Sequence, residues 1–111
     1  MERFVKADVV VLPFPFSNLK GAKRRPALVL ADLPGDDVIL CQITSQESKD
    51  SFAIPLNQSD FIVGSLPTQS YIRTSRIFTA DKKIILRKSD TIYNATFSTT
   101  LNRIIEILNE F

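Results

Sequence analysis

The chain has 111 residues, 44% of them hydrophobic, with 14 basic and 12 acidic side chains for a net charge of +2, one cysteine and no histidine. That length suits one domain, residues 1–111, and the composition is that of a globular chain. No apolar run approaches the roughly 20 residues that span a bilayer, a lone cysteine cannot form an intrachain disulfide, and without histidine neither imidazole catalysis nor a His-containing zinc site is available.

The opening residues 1–6 carry no apolar leader segment, which predicts a cytoplasmic protein. Residues 8–14 are apolar and β-branched and predict a strand, with Pro13 and Pro15 marking where its regular pairing should fail. Residues 17–25 predict a polar loop in which Lys20, Lys23, Arg24 and Arg25 place four cations within six residues. Such a run is either a solvated loop or a phosphate-binding one. A second strand is expected over 26–31 with Pro26 at its start, then a turn at Pro34 and Gly35. Residues 38–44 predict a third strand whose continuous apolar character implies burial on both faces. Cys41, inside it, is expected to be a buried structural thiol.

Residues 45–50 predict polar loop, 52–55 a short strand, and 57–69 an irregular stretch. Over 71–79 the residues alternate, with Tyr71, Arg73, Ser75 and Ile77 on one side and Ile72, Thr74, Arg76 and Phe78 on the other. Another short strand is expected at 83–87. The period then changes: Phe97, Leu101, Ile104, Ile105, Leu108 and Phe111 form an apolar stripe at helical spacing, with Asn94 as N-cap. The stripe is expected to pack on the core, with a partner-binding face as the alternative. A mainly β chain of short strands with one C-terminal helix predicts a closed or nearly closed barrel.

The missing residues narrow the chemistry. No Gly-x-Ser-x-Gly elbow, paired carboxylates or Gly-rich phosphate loop occurs. One reaction suits what is left. RNA carries its own nucleophile, the ribose 2′-hydroxyl, so an enzyme cleaving by transesterification must orient that group and stabilise the charge of the phosphorane. Arginine offers a permanently charged fork matched to phosphate oxygens, and Ser or Thr hydroxyls can hold a phosphate oxygen. Arg25, at the junction of basic loop and strand, Thr44, at a strand end, and Arg73, in the alternating strand, are the candidates.

At these residues the chain resembles the MazF/PemK family of toxins from type II toxin–antitoxin pairs. The resemblance rests on the strand Asp8-Val9-Val10-Val11-Leu12, the segment Gly21-Ala22-Lys23-Arg24-Arg25-Pro26-Ala27-Leu28-Val29-Leu30, the block Gln42-Ile43-Thr44-Ser45, and the run Ser70 to Lys82 ending in Thr79-Ala80-Asp81-Lys82. The stretch Pro13-Phe14-Pro15-Phe16-Ser17 is similar to the PemK-like branch. Ala7 stands where the family usually has glycine.

The resemblance implies an SH3-like barrel of the CcdB/MazF type, a homodimer, a small acidic antitoxin as partner, and cofactor- and metal-independent cleavage of single-stranded RNA to a 2′,3′-cyclic phosphate, with no membrane partner. It implies Arg25 as charge stabiliser and proton donor or acceptor, Thr44 as the phosphate-positioning hydroxyl helped by Ser45, and Arg73 as a second phosphate or proton-transfer group. One branch of the family has an aspartate two residues after this arginine; here that position is Ser75, taken as the fourth catalytic candidate. Phe16, Ser17, Lys20, Lys23, Arg24, Ser45 and Arg76 are expected to bind RNA, with Phe16 and Phe61 as stacking candidates or half-buried loop anchors. The competing readings are a gyrase-binding poison of the CcdB type and a catalytically degenerate member of the same fold.

Overall fold

The computed structural model describes residues 3–14, 23–46 and 50–111. Its strands are β1 (Asp8–Phe14), β2 (Lys23–Asp32), β3 (Asp37–Thr44), β4 (Ile54–Leu56), β5 (Phe61–Val63), β6 (Ser70–Asp81) and β7 (Arg87–Ile92), followed by a helix, α1 (Asn94–Glu110). They form a seven-stranded antiparallel sheet of order β4-β6-β3-β2-β1-β7-β5. The two edge strands, β4 and β5, are neighbours in sequence, joined through the 3-10 turn Gln58–Asp60. One short connection therefore draws the two edges together, and the sheet curls into a half-barrel. Asp60 ties this turn to the helix: its backbone carbonyl accepts from Tyr93 N at 2.9 Å and its Oδ1 accepts from Thr96 Oγ1 at 2.8 Å.

Alternation along the central strands sends side chains to two cores. Val9, Leu28, Cys41, Ile43, Ile72 and Ile92 meet Phe97 of α1 on one face, while Val10, Leu12, Ala27, Val29, Val38 and Leu40 meet Phe4 and Ala80 on the other. The expected burial of residues 38–44 on both faces is thus observed. Cys41 is fully buried.

Several boundaries differ from expectation. Lys23, Arg24 and Arg25 belong to β2 rather than to a loop, because they pair with Phe14, Pro13 and Leu12 of β1. Pro13 does not end that pairing. Beyond Val11 the neighbour β7 no longer reaches β1, so the missing N–H interrupts no ladder on that side. Pro15, Phe16, Ser17 and Lys20 lie outside the described residues. The stretch 57–69, expected to be irregular, contains the closing turn and β5, and Phe61 is a core residue rather than a stacking platform. The strand expected at 83–87 is instead a 3-10 turn at Lys82–Ile84 and then β7. The residue capping α1 is Tyr93, with Asn94 its first helical residue.

The apolar stripe of α1 is only partly core. Phe97 and Ile104 are buried, but Ile105, Leu108 and Phe111 are 53%, 73% and 83% exposed. A 17-residue helix is about 25 Å long. Ile105, next to buried Ile104, stands at the edge of the stripe, whereas Leu108 lies near its centre and loses cover along the axis. The expectation that the whole stripe packs on the core is corrected accordingly.

Ala7 adopts φ +78°, in the left-handed region that favours glycine. Backbone hydrogen bonds from Ala7 N to Val29 O and from Ile92 N to Ala7 O hold it there, both at 3.0 Å. Asp8, buried beside it, accepts from Val5 N at 2.9 Å. Gly64 also has positive φ, +86°, and a Cβ there would collide with the Asp90 carboxylate; only glycine fits.

Candidate active site

The site is built where β6 departs from its ladder. Cys41 of β3 pairs with Ile77 and Ile43 pairs with Ile72, so residues 73–76 all stand opposite Gln42. A bulge this large re-aims side chains that simple alternation would have sent inward or outward. That is why the predicted alternation over 71–79 holds for Ile72 and Thr74 and fails at Arg76. The bulge is pinned from two sides. Cys41 Sγ donates to Arg73 O at 3.0 Å, and buried Thr74 donates through Oγ1 to Phe52 O at 2.8 Å. Burial pushes the Cys41 thiol up to about 12, so it stays protonated and is no nucleophile.

Beside the bulge, Ala27 pairs with Gln42 and Leu28 with Cys41. Extending that register by two residues sets Arg25 across from Thr44 at the open ends of β2 and β3. A cleft of about 470 Å³ lies here, lined by Phe14, Arg25, Gln42, Thr44, Gln46, Arg73, Ser75, Arg76, Ile77 and Phe78. The four residues expected to be catalytic, with Arg76, therefore share one cleft. Thr44 is only 7% exposed, and its Oγ1 accepts from Gln46 N at 3.2 Å. With its oxygen accepting, the hydroxyl proton is left to donate. Among the described residues, the side chains of Arg25, Ser75 and Arg76 make no hydrogen bond or ion pair, and Arg73 Nε faces Asp50 Oδ2 at 3.5 Å. The cleft lining contains no carboxylate among the described residues.

The other expected RNA-binding residues divide from these by strand parity. Arg24 and Ser45 line a second cleft of about 720 Å³ on the other side of β2 and β3, with Arg87, Ser89 and buried Asp90, whose Oδ2 accepts from Ser89 Oγ at 2.6 Å. Arg25 lines both clefts and stands at their shared rim. Lys23 is exposed on β2 and borders neither. Sequence reasoning missed Phe14 and Phe78, packed edge to face with centroids 5.2 Å apart, as well as Gln42, Gln46 and Asp50. The apolar Phe14 and Phe78 gave no signal of their own, since the β1–β2 register brings Phe14 to Arg25 and the bulge in β6 sets Phe78 beside Arg73 and Arg76.

The Asp81-Lys82 pair proves to be structural. Lys82 Nζ donates to Leu33 O and Gly35 O at 2.8 and 2.7 Å and pairs with Asp32 Oδ1 at 2.7 Å, while Asp81 caps the following 3-10 turn through Lys83 N.

Residues 6–108 match the profile of the PemK-like, MazF-like toxins of type II toxin–antitoxin systems. The chain belongs to that family. A comparison with curated proteins gives no match. Among solved structures, the MazF of Deinococcus radiodurans superposes with a TM-score of 0.76 at 17% identity, over 98% of this chain and 99% of that one. An endoribonuclease in complex with its cognate antitoxin from a mycobacterial species gives 0.75 at 16% identity, over 98% of each chain. The Mycobacterium tuberculosis toxin MazF-mt6 gives 0.73 at 13% identity, over 92% of this chain and 96% of that one. The fold is that of MazF-type proteins. Among the described residues no helix is long and apolar enough to cross a membrane.

Proposed function

We propose that this MazF/PemK-family chain is a metal-independent endoribonuclease that cleaves single-stranded RNA, selecting its sites by base sequence. The observation that carries this reading is the cleft in which Arg25, Thr44, Arg73, Ser75 and Arg76 meet with no carboxylate among the described residues of the lining. A strand of phosphates is the ligand such a cationic, hydroxyl-bearing cleft can satisfy. The chain has no histidine, and among the described residues no three His, Cys, Asp or Glu side chains gather as a metal site would require.

The scissile phosphate sits between Arg25 and Thr44. Thr44 donates its hydroxyl proton to a non-bridging oxygen and fixes the phosphate. The RNA 2′-hydroxyl attacks phosphorus, and the guanidinium of Arg25 takes up the charge that grows on the equatorial oxygens, an interaction stronger in the transition state than in the ground state. Arg73 provides a second fork for the phosphate, and Ser75 a hydroxyl at the proton-transfer position. The 2′-hydroxyl proton passes through the Ser75 hydroxyl to solvent as the P–O2′ bond forms. The P–O5′ bond breaks, and the departing 5′-oxygen takes up a proton from solvent, leaving a 2′,3′-cyclic phosphate and a 5′-hydroxyl. Half-buried Phe78, backed by buried Phe14, forms an apolar seat beside the phosphate where a splayed base can lie. Past the rim at Arg25, the strand continues toward Arg24, Ser45 and Arg87.

A two-fold homodimer and a small acidic antitoxin that covers the cationic cleft are the expected partners, and the cytoplasm the expected compartment. The mycobacterial endoribonuclease solved in complex with its cognate antitoxin supports the second partner. The test is incubation of a long single-stranded RNA with purified protein in EDTA, followed by analysis of product ends. Discrete fragments ending in 2′,3′-cyclic phosphate are expected. Intact RNA at high protein concentration overturns the reading and leaves a gyrase binder or a degenerate member of the family.

A further inference from the structure

The arginine cluster contains an asymmetry that the proposed reaction does not use. The side chains of Arg25 and Arg76 make no hydrogen bond or ion pair to any described residue, whereas that of Arg73 is paired. Its partner, Asp50, lies 23 residues earlier in the chain and outside the cleft lining. The carboxylate is itself held. Oδ1 accepts from Phe52 N at 2.9 Å, and Asp50 O accepts from Ala53 N at 3.2 Å, so the residue opens a tight turn with its side chain folded back on it. That leaves Oδ2 aimed at Arg73 Nε, in a pair whose side chains are only 11% and 25% exposed.

The turn is fastened to two other elements. Phe52 O accepts from Thr74 in the bulge, one residue beyond Arg73 itself, and Ser51 O accepts from Arg103 of α1 at 3.2 Å. Arg73 is thus held through its carbonyl by Cys41, through its neighbour Thr74 by Phe52, and through its side chain by Asp50. An exposed ion pair between two mobile side chains does little. This one joins two groups whose backbones are already fixed. Its approach is at Nε, 3.5 Å from Oδ2, on the side of the guanidinium away from its terminal amino groups; it is a buried ion pair without a hydrogen bond between these two atoms.

We infer that Asp50 is a positioning residue: it orients Arg73 so that the terminal amino groups of the guanidinium face the phosphate of the bound RNA. It acts through Arg73 and takes no part in bond making. The inference rests on the ribonuclease reading. It also accounts for a carboxylate being retained beside Arg73 when position 75 is serine: the anion that fixes the arginine comes from the turn before β4.

The test combines kinetics with a signal that needs no activity. Asp50→Asn removes the charge and keeps the shape and the acceptor for Phe52 N. In wild type, the Arg73 Nε–H resonance is expected to be shifted and slow to exchange with water, and in Asp50→Asn to move to the position of a solvated arginine. Cleavage is expected to fall about 10- to 100-fold in kcat with KM changed less than about threefold, at an unchanged melting temperature. In the Arg73→Ala background the second substitution is expected to add nothing, because there is no guanidinium left to orient. Active wild type with full cleavage by Asp50→Asn, or losses that multiply in the double variant, overturns the inference and leaves the ribonuclease standing. A silent wild type sinks the ribonuclease reading, and this role for Asp50 with it.

Discussion

The half-barrel has a lysine end and an arginine end, and their cations are treated in opposite ways. At the turn between β2 and β3, Lys82 is saturated: two carbonyls and a carboxylate lie within 2.8 Å of its Nζ. At the other end of the same two strands, Arg25 and Arg76 face a cleft without a described side-chain partner, and Arg73 has one carboxylate oxygen 3.5 Å from its Nε. Both ends carry residues of the family resemblance, Asp81-Lys82 at one and Arg25, Thr44 and Arg73 at the other. A cation satisfied by its own chain holds the fold. Cations gathered without counter-ions repel one another and lower stability unless a ligand's anion completes them, which is the arrangement a binding site needs.

The sharpest way to break this comparison is to remove one cation from each end. Arg25→Ala is expected to lower cleavage by about 100- to 1,000-fold, as when one charge-stabilising donor is lost from a preorganised site, with the thermal transition unmoved or slightly raised. Lys82→Met keeps the aliphatic stem and removes the charged head. It leaves Leu33 O and Gly35 O without their donor, so it is expected to cost about 1–2 kcal/mol in chemical denaturation, while activity per folded molecule stays at the wild-type level. If Lys82→Met loses activity without losing stability, or Arg25→Ala unfolds the protein, the division of labour is wrong.

The two ends also differ in how far the sequence disclosed them. The turn at Pro34 and Gly35 was legible, because a proline–glycine pair between two apolar runs has a direct conformational cause. Arg25 and Thr44 could be chosen as candidates from residue type and strand position, and the register of β2 and β3 brings them together. What residue type could not show is the geometry that completes the cleft. Alternation over 71–79 predicted Arg73 and Arg76 on opposite sides of a regular strand, whereas four residues opposite Gln42 gather both with Ser75 around one opening. A bulge depends on the neighbouring strand, so period-2 reasoning along one strand misses it. Asp50 was hidden for the same reason, since its pairing with Arg73 exists only once the bulge and the turn before β4 are both in place. Parity, by contrast, was available and unused: adjacent residues of a strand point to opposite faces, so Arg24 and Arg25, or Thr44 and Ser45, could not both line one cleft unless they stood at its rim.

Cys41 lies beneath the arginine end and tests whether its floor is dry. The folded state holds the thiol proton well above the ordinary value of 9.0, to about 12. Between these limits the unfolded chain binds fewer protons at this group than the folded one, so the contribution of Cys41 is whole below pH 9 and is lost as pH rises toward 12. From pH 8 to pH 10 wild type is expected to lose about 1 kcal/mol more stability than Cys41→Ala over the same interval, measured by urea unfolding. Equal losses would mean that water reaches the thiol and that the carbonyl of Arg73 is not fixed by it.

The smallest effect is expected where the arginine end is tethered to the helix. The ring of Phe111, the last residue, meets Phe52 edge to face with centroids 5.8 Å apart, and Phe52 lies in the turn that carries Asp50. Most of the Phe111 ring is exposed, so Phe111→Ala removes little apolar burial, and the aromatic pair itself is worth about 0.5–1.5 kcal/mol at most. A loss near the lower end of that range is expected in unfolding experiments. The turn keeps its hydrogen bonds to Thr74 and Arg103 without this ring, so cleavage is expected to fall less than about threefold. A large loss of activity from this distant, exposed residue would show that the turn is only marginally held and that the end of α1, rather than the bulge, sets the position of Asp50.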